Sequence, residues 1–162
     1  MIKVLFIRVP SDEMYDEVFT SLQDKVSEEC LVEAGSFRNK GVAIRRVLGE
    51  ALTVFALRKY FRMPFGSYRF ARGGKGKPFV AEREDVFFNI SHSGVYVVCA
   101  VSDGEIGVDI EKRSKARMEV AGRFFTCKKY GNWKLPLGLN KINCSTITGR
   151  LRRVSLNIPV RD

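Results

Sequence analysis

Asp109 and Glu111 stand two residues apart in Ile106-Gly107-Val108-Asp109-Ile110-Glu111, a run that otherwise reads as an apolar strand. Side chains alternate faces along a strand, so both carboxylates point the same way. Two parallel carboxylates suit a Mg²⁺ ion whose octahedron a substrate phosphate completes. A second string, Phe88-Asn89-Ile90-Ser91-His92-Ser93, sets the chain's only histidine between two hydroxyls at a strand end. Together the two strings point to an enzyme that handles phosphate. Each also has a plainer reading: alternating charges often make only a solvated strand face, and a lone histidine is more often structural than catalytic. A third segment, Arg72-Gly73-Gly74-Lys75-Gly76-Lys77-Pro78, is basic and glycine-rich, so its backbone N–H groups can approach phosphates closely. It is either that or a flexible solvated loop. It is not a Walker-type loop, because Pro78 replaces the Ser or Thr that such a motif needs after its lysine.

Several elements must position these residues. Residues 2–9 read as a strand. Ser11 can cap a helix whose first turn holds Asp12 and Glu13, favourable at the positive end of the dipole. Met14, Val18, Leu22 and Val26 then recur every four residues as a helical stripe. A second helix spans 42–60, with Leu48, Leu52 and Phe55 inward, and residues 69–78 form the glycine-rich loop. Strands follow at 86–90, 95–101 and 106–110, with Asp103-Gly104 turning between the last two. Residues 118–125 read as helix. From Gly131 onward the periodicity fails, and neither helical nor strand spacing holds for a full element.

Composition bounds the function. A chain of 162 residues with 45% hydrophobic content makes one compact, ordered domain, expected to be monomeric. Residues 1–9 are apolar but short and are followed at once by acidic residues, which fits neither a signal peptide nor a membrane span. A cytoplasmic protein is expected. Four cysteines without C-x-x-C spacing, joined by one histidine, argue against zinc and for reduced thiols. The net charge of +10 is unevenly spread: residues 1–127 carry 20 basic and 17 acidic side chains, residues 128–162 carry 8 and 1. Tyr130 and Trp133 are the basic tail's only aromatics, too few to interleave with its charges, which argues against a nucleic-acid partner.

Gly76-Lys77-Pro78, F-N-x-S-H-S and G-V-D-x-E, in that order and spacing, closely resemble the 4′-phosphopantetheinyl transferases of the type that activates surfactin synthetase. The resemblance runs from about residue 37 to 130 and takes in Arg45 and the Leu48-Gly49-Glu50 turn of a helix. It implies an α+β fold of two similar halves: an N-terminal half over about 1–84, the start of a second over about 85–130, and an aberrant basic tail over 131–162. The implied activity moves the phosphopantetheine arm of coenzyme A to a serine of an acyl or peptidyl carrier protein. Asp109 and Glu111 would then ligate Mg²⁺, and Arg45, Lys77, Ser91 and His92 would hold the coenzyme, with Arg45 near its 3′-phosphate.

This chain departs from the family pattern. Glu28, Glu29 and Val32 stand where basic residues are usual, Gly41-Val42 where an acidic one is, and Lys129 where a glutamate is. The family's last motif, W-x-x-K-E-[AS], is absent, and with it a third Mg²⁺ ligand and candidate general base. Residues 144–162 can nevertheless be written in codons that, read two bases further on, spell Phe-Tyr-His-Tyr-Trp-Thr-Phe-Lys-Glu-Ser. A frameshift near Asn132 is therefore expected, producing a shortened transferase of little or no activity. The strands of its second half should lack partners and leave open edges. The alternative is a non-catalytic remnant that binds coenzyme A or a carrier protein.

Overall fold

The computed structural model describes residues 1–74, 76–112, 141–146 and 152–158, the last two segments as backbone alone. In chain order they form β1 (Ile2–Arg8), a short 3-10 turn (Asp12–Met14), α1 (Tyr15–Leu22), α2 (Glu28–Gly35), α3 (Lys40–Phe61), β2 (Phe70–Arg72), β3 (Pro78–Val80), β4 (Phe87–Ser93), β5 (Tyr96–Ser102), β6 (Ile106–Lys112), β7 (Lys141–Thr146) and β8 (Arg152–Ile158).

The long helix α3 owes its ends to local chemistry. The Asn39 side chain accepts from the Val42 N–H at 3.2 Å, satisfying one of the orphan donors of the first turn. Arg62 ends the helix in the left-handed region at φ 55°, with its N–H on the Leu57 carbonyl, while Arg58 and Lys59 oppose the negative end of the dipole. Ser27 caps α2 by accepting from the Cys30 N–H, and Glu28 and Glu29 fill the first turn.

An antiparallel sheet in the order β1-β5-β4 lies beneath α3. Its middle strand is apolar on both faces, and Val97, Val98, Cys99, Ala100 and Val101 are fully buried. On one face Cys99, Val101 and Phe88 pack with Ala56 and Leu57 of α3. On the other, Val98 and Ala100 pack with Ile106, Val108 and Ile110 of β6. α3 comes close to β4 at Gly49, where an added Cβ would lie 3.1 Å from Ile90 Cγ2. The Leu48-Gly49-Glu50 turn thus has a packing reason for its glycine. β2 and β3 form a small hairpin around the glycine-rich loop, and β6, β8 and β7 form a third sheet.

The mixed α/β architecture follows the sequence expectation, with several corrections. Ser11 makes no side-chain cap; the chain passes through the 3-10 turn first, and α1 stops at Leu22, leaving Val26 buried beyond it. Phe55 does not face inward but is 51% exposed, with Lys59 Nζ 5.4 Å from its ring centre. α3 packs on α2 as well as on the sheet, and this rotates Ile44, Val47, Thr53, Ala56 and Leu57 inward instead. The loop at 69–78 is partly β2 and β3.

The expectation that nothing regular follows Gly131, and that the second-half strands lack partners, is also corrected. β8 pairs in parallel with β6, from Ile106↔Arg152 to Lys112↔Ile158, and β7 pairs antiparallel with β8. Val154, Leu156 and Ile158 alternate with Arg153, Ser155 and Asn157, a period of two that suits a strand added to an open edge. The expected helix at 118–125 lies outside the described residues.

Candidate functional site

β4 and β6 carry the chemistry, and they meet through side chains rather than through a backbone ladder. Ser91 sits opposite Val98 and His92 opposite Val97 in the β4–β5 register, so the neighbours Ser91 and His92 project to opposite faces. Ser91 faces β6. Its Oγ donates to Asp109 Oδ1 at 3.3 Å and accepts from the Ile110 N–H at 3.3 Å. Two residues earlier on the same face, Asn89 Oδ1 accepts from the Val108 N–H at 2.8 Å. The first two strings are therefore joined in space at Ser91 and Asp109. Sequence reasoning passed over Asn89, although its i, i+2 spacing to Ser91 puts both on one strand face.

Asp109 and Glu111 are exposed, whereas Ile106, Val108 and Ile110 on the other face of the strand are buried. Two solvated carboxylates on one face offer an all-oxygen donor pair, which fits a Mg²⁺ ion that keeps several of its waters. Among the described residues there is no group of three or more His, Cys, Asp and Glu side chains placed to enclose a metal. The pair would thus be part of a site completed by other oxygens.

Lys77 lies elsewhere. Its Nζ donates to the Ile106 carbonyl at 3.0 Å, at the start of β6 and about 10 Å along the strand from Asp109. The loop before it folds back on itself: the Gly73 N–H reaches the Lys77 carbonyl at 3.0 Å, and Gly76 takes φ 75°, a conformation that favours glycine. His92 is exposed near the β4–β5 turn. Arg45 reaches that same turn from α3, donating to the Gly94 carbonyl at 3.0 Å and to the Gly41 carbonyl at 2.6 Å. Arg45 also borders two clefts of about 480 and 600 Å³ that share Asp12 and Tyr15. The six expected residues thus fall into three groups: Ser91 with Asp109 and Glu111, His92 with Arg45 at the turn, and Lys77 at the head of β6.

A charged network behind α3 was not anticipated. Glu50 is only 4% exposed and accepts from the Ser27 N–H at 2.7 Å and from Arg46 Nη2 at 3.0 Å. Arg46 Nε also reaches Glu33 Oε2 at 2.8 Å, and Arg72 Nη2 reaches the same oxygen at 2.8 Å. The Arg46 hydrogen bond, assisted by the charges of Arg46 and Arg72, holds the Glu33 carboxyl below the usual range. Burial, reinforced by Glu50, pushes the Cys30 thiol up to about 12, and burial does the same to Cys99. Arg72 links this network to the strand that enters the glycine-rich loop.

Sheet, helix and clasped carboxylate strand define a mixed α/β protein that gathers oxygen donors and cations along the edges of neighbouring strands. A family model described as 4′-phosphopantetheinyl transferase, N-terminal, matches residues 9–104. The chain belongs to the 4′-phosphopantetheinyl transferase family. It is 38% identical over 130 residues to the 4′-phosphopantetheinyl transferase gsp of Aneurinibacillus migulanus, covering 80% of this chain and 54% of that protein. It is 32% identical over 128 residues to the 4′-phosphopantetheinyl transferase Sfp of Bacillus subtilis (strain 168), covering 79% and 56%. The chain therefore spans about half the length of these relatives. Among solved structures, the Helicobacter pylori holo-[acyl-carrier-protein] synthase in complex with coenzyme A is similar with a TM-score of 0.43 at 15% identity, covering 63% of this chain and 98% of that one.

Proposed function

We propose that this chain carries the coenzyme-facing part of a 4′-phosphopantetheinyl transferase, which moves the phosphopantetheine arm of coenzyme A to a serine of an acyl or peptidyl carrier protein. The observation that carries the reading is the Ser91–Asp109 hydrogen bond, which joins the histidine-bearing string to the carboxylate strand. The partner class is a carrier protein, of the acyl or the peptidyl type.

In this reading Arg45 and His92 bind phosphate at the β4–β5 turn, and Lys77 supplies a cation at the head of β6. Asp109 and Glu111 would hold Mg²⁺, which when bound would supply Lewis-acid stabilisation of charge on the phosphates. The serine oxygen bonds to the β-phosphorus as the bond from that phosphorus to the ADP oxygen breaks. The serine proton needs a base. The W-x-x-K-E-[AS] glutamate that would take it is missing from this chain, and loss of a general base costs ~10²–10⁴-fold in rate. Transfer by this form is accordingly weak or nil. The absence of that motif from the sequence favours a second reading, a module that binds coenzyme A or a carrier protein without turnover.

The test is the intact mass of an apo carrier protein after incubation with coenzyme A, Mg²⁺ and either this chain or a frame-restored version. A phosphopantetheine gain from the restored version alone is expected. No gain from either version removes the transferase reading, and calorimetry with coenzyme A then decides the binding one.

A further inference from the structure

β6 has no backbone ladder to β4, yet its inward amides are not left to solvent. Val108 N–H ends on Asn89 Oδ1 at 2.8 Å and Ile110 N–H on Ser91 Oγ at 3.3 Å. Successive N–H groups of a strand point to opposite edges, so these two amides serve the β4 side while the other edge pairs with β8. The two side chains are spaced i and i+2 on β4, and the two amides they receive are spaced i and i+2 on β6. That match of periods fixes a register: a slip of one residue would carry Asp109 and Glu111 to the face now held by Val108 and Ile110. Ser91 does a second thing, since the hydroxyl that accepts from Ile110 donates to Asp109 Oδ1.

We propose that Asn89 and Ser91 are positioning residues, a side-chain clasp that sets the register of β6 and the orientation of the Asp109 carboxylate. This deepens the metal role given to Asp109 and Glu111 above and rests on it. Ser91 thereby gains a task distinct from touching the coenzyme. With the Ser91 hydroxyl committed to the Ile110 amide and to Asp109 Oδ1, Oδ2 is the Asp109 oxygen that would be left for a cation. Partners that orient a ligating carboxylate in this way typically change metal affinity 10- to 100-fold when removed.

The experiment uses the full chain with Mn²⁺ as the probe, its affinity read by electron paramagnetic resonance. Amide hydrogen exchange at Val108 and Ile110 is read by NMR on the same samples. Ser91→Ala should weaken Mn²⁺ binding about 10-fold and speed Ile110 exchange roughly 3- to 10-fold, and Ser91→Thr, which keeps the hydroxyl, should restore both. Asn89→Ala should speed Val108 exchange by a similar factor. Should Asn89→Ala fail to fold, the Ser91 pair alone carries the test. Parent-like exchange in the variants overturns the clasp. So does Mn²⁺ affinity within twofold of the parent in Ser91→Ala while Asp109→Asn loses it. If parent and Asp109→Asn alike bind no Mn²⁺, the metal reading fails, and the exchange rates by themselves decide whether the clasp exists.

Discussion

Replacing Glu50 with alanine removes a carboxylate that is 4% exposed and holds two donors. The Ser27 N–H, at the start of α2, loses its acceptor, which for a part-buried donor costs about 1 kcal/mol. Breaking a buried ion pair costs about 3–5 kcal/mol when the remaining charge is stranded. Here Arg46 is 24% exposed and keeps Glu33 at 2.8 Å, so the low end applies. Both effects belong to one side chain and overlap, which places Glu50→Ala at about 3–4 kcal/mol. Glu50→Gln keeps the shape and an acceptor for Ser27, and should cost only about 1–2 kcal/mol. The two variants separate in urea unfolding followed by far-ultraviolet circular dichroism, which reads α1, α2 and α3 directly. For a chain of this size the alanine variant should melt roughly 6–16 °C below the parent. A loss under 1 kcal/mol for the alanine variant would show that the network contributes little and refute the reasoning.

The lowered Glu33 carboxyl gives a pH signature. Because the folded state binds its proton less readily than the unfolded chain, the stabilisation is fully present above the ordinary value of 4.5 and is lost as pH falls through the folded value. Urea midpoints should therefore drop between pH 5 and pH 3, and Glu33→Gln should flatten that drop; an unchanged slope would count against it. The raised Cys30 and Cys99 thiols should be inert in the folded protein at pH 8. In a chain with Cys127 and Cys144 changed to serine, a thiol reagent should react only after urea is added, and prompt native labelling would contradict their burial.

Much of the fold was legible because its signals are local. β4, β5 and β6 announce themselves by apolar runs and a turn, and α3 by its length. α2 was missed although Ser27-Glu28-Glu29 carries both a cap and acidic first-turn residues, because its apolar stripe is short. Phe55 misled because a helix covered on two sides has no single inward face. At the site, the shared face of Asp109 and Glu111 follows from strand alternation alone. Their meeting with Ser91 does not, since it depends on β6 crossing beside β4, a tertiary fact with no spacing rule. The Lys77 bond to the Ile106 carbonyl is likewise invisible in sequence, being a contact between a loop and a strand 29 residues apart.

The strand order β1-β5-β4 also governs when this protein can fold. β1 is made first, yet its sheet partner is β5, in a register that joins Ile2 to Ser102 and Arg8 to Tyr96. Until residue 102 has been synthesised, β1 is a free apolar edge, and α3 has only part of the sheet on which to rest. Pairing across such a sequence distance imposes a high contact order, hence slow closure and a long exposure of sticky surface during synthesis. The shortest nascent chain able to complete this sheet therefore ends just after β5, at the point where the matched family region also ends.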